Sequence, residues 1–337
     1  MLVSIIIPAY NSEKFIRRCL DSVVNQIYKN IEIIVVDDAS TDNTEKIIKE
    51  YAEKDNRIRP FYSSENKGVS FSRNIGLKAS TGEYIMFVDG DDYLHFQTVE
   101  ILFDGICRQE ADISCVHFKK TDSLTENQTQ IGQYEFHVAD YEEIFTEKYN
   151  SVIGKSSCAK LIKTDCARTE SFPVGISNGE DGYYTILLLS HNPKVVIADL
   201  QLYFYYTREN SAVTSSFTMK KFSITYSFER LCDQLVSSSN AFLKKYCLQY
   251  LFQTIFYNRT RAIGTDCEKE VLSESKKIGK KWIGELLRNK EISPVIKIMF
   301  TVFFYSRPIY ELVRAIKDPT MFDFYKNRRK GNNAGEA

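Results

Sequence analysis

The chain has 337 residues, of which 43% are hydrophobic and 26% charged, a composition typical of one or two globular domains. Lysine plus arginine and aspartate plus glutamate both total 44, so the formal net charge is zero. The charges are unevenly distributed, because residues 1–215 hold 22 basic and 32 acidic residues whereas residues 216–337 hold 22 and 12. The basic residues of the first part do not line up with aromatic ones, which argues against nucleic-acid binding, and the basic second part is typical of a segment that meets an anionic surface.

The eight cysteines are scattered and form no C-x-x-C pair. This pattern favours free thiols in a reducing compartment over a disulfide framework or a zinc site. The first residues, MLVSIIIPAYNSEK, lack a basic segment and a cleavage site, so we interpret them as a strand rather than a signal peptide. No uninterrupted apolar run is long enough to span a bilayer. We therefore expect the protein on the cytoplasmic side of the membrane.

The first 95 residues alternate between apolar strands and amphipathic helices. In chain order, the predicted strands are VSIIIPAY, IEIIVVDDAS, IRPFYS and YIMFVD, and the helices between them are SEKFIRRCLDSVVNQ, DNTEKIIKEYAEKD and VSFSRNIGLKAS. This alternation predicts an α/β fold with a mostly parallel central sheet covered on both faces. Residues 95–215 give a patchier pattern, and the chain beyond 216 is predicted to be helical. We predict an α/β domain over residues 1–215 and a helical, basic region over residues 216–337.

Acidic residues follow two of the predicted strands: Asp37, Asp38, Asp89, Asp91 and Asp92. In parallel sheets, ligands bind outside the carboxyl ends of the strands. Asp89 and Asp91 flank a glycine, and a Mg²⁺ or Mn²⁺ ion bound there would hold a diphosphate and relieve the repulsion between the carboxylates. The alternative is an ordinary Asp-Gly turn, which does not account for three carboxylates beside an apolar strand. We favour the metal site.

Two further acidic sites have a structural and a functional interpretation. If Asp42 and Glu45 form a capping box for the second helix, Asp38 is left to accept hydrogen bonds from a ligand such as a nucleotide base. Glu180 and Asp181 precede a predicted helix, either as partners of its dipole or with a carboxylate acting as general base. The residues alone leave these alternatives open. The usual ATPase and dinucleotide-binding motifs do not occur in the sequence.

Four segments, taken together, resemble the family-2 glycosyltransferases of the GT-A fold: VSIIIPAYNSEKFIRRCLDSVVNQ, IEIIVVDDASTDNT, NKGVSFSRNIGLKASTGEYIMFVDGDDYL and GEDGYY. The resemblance is continuous over about residues 1–95 and sporadic to about 215. It implies a Rossmann-like GT-A sandwich that transfers a hexose or N-acetylhexosamine from a nucleotide diphosphate, with UDP as the expected nucleotide. The anomeric carbon would be inverted. The acceptor would be a hydroxyl of a glycan or lipid-linked saccharide, as in bacterial surface-polysaccharide assembly.

The resemblance also implies roles for individual residues. The nucleotide-sugar site would contain Pro8, Ala9, Tyr10, Glu13, Asp38, Lys67, Arg73, Asp89 and Arg208. Of these, Asp38 would contact the base and Arg208 would face the diphosphate. Asp89 and Asp91 match the D-x-D pair, with Asp91 as the more direct metal ligand, and Asp181 would be the base with Glu180 beside it. An acceptor-side segment keeps Lys160, but Cys158 and Ala159 replace its more usual tryptophan and asparagine. The acceptor contacts of the family therefore do not carry over directly.

Two other functions remain open from the sequence. The first is a metal-dependent nucleotidyl- or phosphoryl-transfer enzyme on a similar sheet, in which Glu180 and Asp181 would have no role as base. The second is a non-catalytic nucleotide-sugar-binding module. The presence of both the D-x-D pair and the later acidic pair disfavours the second alternative.

The basic end of the chain predicts a membrane contact. The segment SKKIGKKWIGELLRNK has helical spacing, with Ile278, Trp282, Ile283 and Leu286 on one side and lysines on the other, which is typical of an interfacial helix. The next segment, VIKIMFTVFFYSRPIYELVRAIK, is too short and interrupted to span a bilayer but could dip into the headgroups. We expect peripheral contact with the anionic inner face of the cell membrane. The alternative is that these helices pack on the α/β domain or form a homodimer contact.

Overall fold

In the computed structural model the chain divides into two units. The first is Met1–Ser216 with Lys220–Ser227, and the second is Phe217–Met219 with Phe228–Ala337. The residues that the structure describes are 1–123, 128–140, 142–146, 149, 153–207 and 217–306. The eight cysteines all lie within these ranges and are free thiols, as the sequence predicts.

One β-sheet organises the first unit. Its strands among the described residues are β1 Val3–Ala9, β2 Ile31–Asp37, β3 Ile58–Tyr62, β4 Tyr84–Phe87, β5 Tyr93–Leu94, β6 Ile113–Thr121, β7 His137–Val138, β8 Lys160–Lys163 and β9 Val195–Tyr206. They are arranged in the order β3-β2-β1-β4-β8-β6-β9-β5, and β7 pairs with β9. Every residue of β1 and β2 is buried, because continuous apolar runs suit strands that are covered on both faces.

The long strand pairings are parallel and the short ones are antiparallel. Strands β1, β2, β3 and β4 form parallel pairs, and so do β6 and β9. Strand β8 lies antiparallel between β4 and β6, and β5 and β7 both pair antiparallel with β9. The mixed, mostly parallel sheet confirms the predicted fold class.

Helices connect the strands of the first unit. They are α1 Ile16–Val24, α2 Thr44–Ala52, α3 Val69–Ala79, α4 Thr98–Gln109, α5 Thr164–Ala167 and α6 Glu180–Ser190, with a short 3₁₀ turn over Glu143–Phe145. Helix α1 begins later than its sequence pattern predicts, because the Ser12 carbonyl accepts hydrogen bonds from the amides of Phe15 and Ile16 and forms a turn first. The predicted capping box is also wrong, since α2 begins at Thr44 and Asp42 instead accepts from the amides of Glu13 and Thr44.

The strand register gathers the acidic strand ends at one edge. Ala9, the last residue of β1, is paired with Asp37, the last residue of β2. On its other side β1 pairs with β4, with Ile6 opposite Phe87, so Asp89 follows at the same edge. The sheet therefore supplies a common rim for the functional residues predicted from strands one, two and four.

The second unit is helical. Its helices among the described residues are α8 Ala241–Arg261, α9 Glu268–Arg288 and α10 Pro294–Tyr305. Helix α7, Met219–Leu235, belongs partly to the first unit and partly to the second. Ile278, Trp282 and Leu286 on α9 are 2%, 5% and 0% exposed. These three side chains are therefore buried rather than available to a membrane, whereas Ile283 is half-buried, and α9 contacts α8 and α10 of the same unit. Of the helices that the structure describes, none is long and apolar enough to cross a bilayer.

Candidate active site

Four charged side chains from three distant segments of the chain meet at the rim of the sheet. Nη2 of Arg73, on α3, lies 2.8 Å from Oδ1 of Asp89. Nη1 of the same residue lies 3.2 Å from Oε1 of Glu180 and 2.7 Å from Oδ1 of Asp181. Asp89 follows β4, and the other two carboxylates begin α6. The guanidinium therefore joins the D-x-D turn, residues 89–91, to the acidic pair of α6.

The environment of Arg73 is dominated by negative charge. Its side chain is only 2% exposed. Burial lowers the pKa of Arg73, but Asp181, Asp89 and Glu180 raise it by more, so that it lies well above its ordinary value. One cation that faces three carboxylates leaves an excess of negative charge, which favours the binding of a further cation.

Asp181 combines burial with access to a cleft. Its side chain is 24% exposed and its Oδ1 accepts a hydrogen bond of 2.8 Å from the hydroxyl of Ser157. Burial raises the pKa of Asp181 to about 7, although Arg73 opposes the shift. A carboxyl group with a pKa near neutrality is suited to take a proton from an attacking hydroxyl.

The third carboxylate after β4 belongs to the scaffold. Asp92 is 1% exposed and accepts hydrogen bonds from the Tyr203 hydroxyl at 2.8 Å and the Tyr206 amide at 2.9 Å. The same tyrosine hydroxyl accepts a hydrogen bond of 3.1 Å from the backbone amide of Asp89. A Cβ at Gly90 would lie 3.0 Å from the carbonyl oxygen of Pro8, so glycine permits the turn to approach the end of β1.

Arg18, which no recognised sequence motif marks as a site residue, also holds the D-x-D turn. Its Nη2 donates to the carbonyl oxygen of Asp91 at 2.5 Å, and its guanidinium lies over the rings of Tyr93 and Tyr206 at 4.4 and 4.5 Å from their centroids. Contacts of a guanidinium with two aromatic faces are attractive. Helix α1 thereby contacts the turn through Arg18, in addition to the contact that α3 makes through Arg73.

The predicted nucleotide side of the site is a separate hydrogen-bonded group. Asp38 is 3% exposed, and its carboxylate accepts the amides of Lys67 at 2.9 Å and Gly68 at 2.7 Å. Gly68 has a φ of 88°, a conformation that favours glycine. The Lys67 ammonium lies 3.1 Å from Glu65. Asp38 therefore fixes the loop before α3, and its contact with a base stays a prediction.

The remaining predicted pocket residues lie at the end of β1 and just beyond it. Pro8 and Ala9 are buried in β1, whereas Tyr10 is 47% exposed. Glu13 accepts hydrogen bonds from the backbone and side-chain amides of Asn43 at 3.0 and 2.8 Å, which ties the start of α1 to that of α2. Arg208 lies outside the described residues.

A cleft of about 710 Å³ opens beside the catalytic candidates. It is lined by Asp89, Asp92, His117, Phe118, Lys120, Ser156, Cys158, Asp181, Gln201 and Tyr205. Lys160, which resemblance assigns to the acceptor side, is only 1% exposed, and its ammonium donates to the carbonyls of Ser156 at 2.5 Å and Cys158 at 3.2 Å. It thus shapes the loop from which Ser157 reaches Asp181.

Comparisons with known proteins concern the family and the fold of the chain. Residues 4–168 match the family model described as glycosyl transferase family 2. The glycosyltransferase GlyA of Streptococcus pneumoniae is 35% identical over 223 residues, which are 62% of this chain and 31% of GlyA. GlyG of the same organism is 30% identical over 233 residues, which are 65% of this chain and 75% of GlyG.

The chain belongs to glycosyl transferase family 2. It spans about a third of the length of GlyA, one of its curated relatives. A crystal structure of Staphylococcus aureus TarS 1–349 in complex with UDP-GlcNAc has a TM-score of 0.64 and 22% identity, over 82% of this chain and 81% of that one. This likeness confirms the GT-A type of fold predicted from the sequence motifs.

The carboxylates of this family-2 chain fit a divalent metal that is shared with a substrate. Across the described ranges, no group of three or more His, Cys, Asp or Glu side chains could hold a metal ion by itself. Mg²⁺ and Mn²⁺ are often held by one or two carboxylates together with phosphate oxygens. Asp89 and Asp91 could supply that pair, since the two carboxylate oxygens of Asp92 already accept hydrogen bonds from Tyr203 and Tyr206.

Proposed function

We propose that this family-2 protein transfers a hexose or N-acetylhexosamine from a UDP-sugar to a hydroxyl of a glycan or lipid-linked saccharide, with inversion at the anomeric carbon. The observation that carries the proposal is Asp181, held beside the D-x-D turn by Arg73 and open to the cleft. UDP as the nucleotide is supported by TarS, which shares the fold and whose crystal structure contains UDP-GlcNAc.

In the proposed reaction, Asp181 accepts the proton of the acceptor hydroxyl as its oxygen attacks the anomeric carbon. The new carbon–oxygen bond forms while the bond to the diphosphate breaks on the opposite face, and UDP leaves with the electron pair. Ser157 and Arg73 orient the carboxylate, so little reorganisation is needed at the moment of attack. No covalent enzyme intermediate is required.

Asp89 and Asp91 would hold Mg²⁺ or Mn²⁺ in this proposal. When bound, the metal neutralises negative charge that develops on the diphosphate. Arg208 would face the same diphosphate, and Glu180 would stay beside the base. The rest of the donor pocket is assigned to Pro8, Ala9, Tyr10, Glu13, Asp38 and Lys67.

The second unit is proposed to serve the acceptor. Its excess of basic residues supports a peripheral position on the anionic inner face of the cell membrane, where a lipid-linked saccharide would be available. Residues 1–215 would then form the catalytic domain, and residues 216–337 a region for membrane, acceptor or dimer contacts.

The test is a panel of sugar nucleotides with Mn²⁺, in which the release of free UDP is measured with and without saccharide acceptors. Release of pyrophosphate in place of UDP would support a nucleotidyl transferase instead.

We expect Asp181→Asn to keep donor binding, measured by calorimetry, and to lose about a hundredfold or more in turnover, the scale of general-base loss. Because the base acts deprotonated, wild-type turnover should rise with pH through about 7.

Asp165→Asn is the matched control, since Asp165 is an exposed acid in the first turn of another helix, α5. If Asp181 merely interacted with the helix dipole, the two variants should behave alike. Near-wild-type turnover of Asp181→Asn would remove the general base from the proposal.

A further inference from the structure

Helix α10 exposes a row of apolar side chains. Val295, Ile298 and Tyr305 are 57%, 63% and 71% exposed, and Val302 between them is partly exposed. Spacings of three, four and three residues place these four on one side of the helix. We call them the α10 stripe. Large apolar side chains that are exposed together mark surfaces that contact a partner or a membrane.

The opposite side of α10 is already used for packing. Phe300 and Phe304 are 5% and 6% exposed. A Cβ at Gly279 of α9 would lie 2.0 Å from Cε2 of Phe304, so the phenyl ring packs directly on the backbone of α9. The exposure of the α10 stripe therefore belongs to a helix that is anchored by its other face.

The net charge of this part of the chain favours one kind of partner. Residues 292–306 contain one lysine and no acidic residue, and residues 217–306 contain 15 basic and 8 acidic residues. Lys276, Lys277 and Lys280 on α9 are exposed. A second copy of the same unit would bring like charge to the contact, whereas anionic lipid headgroups attract it. A tyrosine at the end of the stripe suits the boundary between headgroups and acyl chains.

We propose that the α10 stripe is the face by which this protein contacts an anionic bilayer, an inference that rests on the membrane position proposed above. The contact lies on α10, and the buried apolar side of α9 takes no part in it. Valine and isoleucine enter the acyl boundary while the lysines of the same unit remain among the headgroups. Binding therefore requires both the apolar stripe and anionic lipid.

Liposome flotation with the full chain tests the proposal. The wild type should float with phosphatidylcholine vesicles that contain phosphatidylglycerol, and remain at the bottom with phosphatidylcholine alone. The double variant Val295→Asp/Ile298→Asp should reduce the floated fraction by about tenfold or more, because it places two charges at the acyl boundary. Circular dichroism should show unchanged helix content.

Val236→Asp is the matched control, because Val236 is 52% exposed and follows the end of α7. It should float like the wild type. UDP release in solution should be equal in all three proteins, so a failure of the transferase proposal would appear in that assay and not in flotation. The proposal is overturned if the double variant floats like the wild type, if the wild type does not float, or if only the wild type is a dimer by light scattering.

Discussion

At the scale of single residues, Arg73 determines how the site is assembled. Its guanidinium contacts carboxylates from two elements, the turn after β4 and the start of α6. A planar guanidinium presents five donors in fixed directions and so holds carboxylates from separate elements in a defined geometry, whereas a lysine ammonium is a compact point charge. Since the guanidinium of Arg73 is paired with Asp181 and Asp89, we assign it the role of a positioning residue for these two carboxylates, and its contact with the nucleotide stays a prediction.

Replacing Arg73 should therefore affect both stability and turnover. We expect Arg73→Met to lower the free energy of unfolding by about 3 kcal/mol or more, because removing one partner of a buried ion pair leaves the carboxylates uncompensated. Urea denaturation measures this loss. Turnover should also fall, with Asp181 no longer held beside the turn.

Arg17→Met provides the comparison, since Arg17 pairs with Glu50 where the two side chains are 49% and 34% exposed. An exposed pair contributes at most about 1 kcal/mol. Equal losses in the two variants would mean that the buried cluster contributes no more than a surface pair.

At the scale of elements, the position of α6 sets the position of the proposed base. Gly179, just before the helix, has a φ of 88°. A Cβ there would lie 2.9 Å from Cγ1 of Ile224 and 3.2 Å from its Cα. The Ser227 hydroxyl donates to the Gly179 carbonyl at 2.7 Å. The start of α6 is thus fixed by a conformation and a close approach that both require glycine.

Gly179→Ala should shift the start of α6 and reduce turnover more than donor binding. Steric and backbone strain of this kind costs about 1–3 kcal/mol, and a thermal melt would show the destabilisation. Gly182→Ala, one turn further along α6, is the control, because its Cβ would have no neighbour closer than 3.9 Å. A Gly179→Ala enzyme as active as Gly182→Ala would mean that the base does not depend on this turn.

The sequence predicted elements with strong periodicity and missed contacts that depend on tertiary packing. Apolar runs ending in aspartates were sufficient to locate β2, β4 and the rim of the sheet. Arg73 and Glu180 are 107 positions apart in the sequence, so no local sequence pattern predicts their contact. Asp92 resembled its neighbours in sequence, and only the partners from β9, Tyr203 and Tyr206, distinguish it as scaffold. Burial of α9 could not be separated from membrane contact, because both require the same amphipathic spacing.

At the scale of the whole molecule, the two units can be observed separately. The single tryptophan of the chain, Trp282, is buried in the second unit, so its fluorescence reports on that unit. All described residues assigned to donor, metal and base lie in the first unit. Hydrogen exchange of peptides from α3 reports on the stability of that unit independently.

UDP with Mn²⁺ should therefore stabilise the first unit selectively. A ligand that binds only the folded state at about 100 times its Kd adds about 2.7 kcal/mol of stability, which should appear as slower exchange in α3. The urea midpoint of Trp282 fluorescence should not move.

Asp91→Ala should fold but lose transfer and most of the Mn²⁺-dependent protection, since it removes a proposed metal ligand. Equal protection in Asp91→Ala and the wild type would exclude Asp91 from the metal site, and an equal shift of the Trp282 transition would show that the two units unfold together.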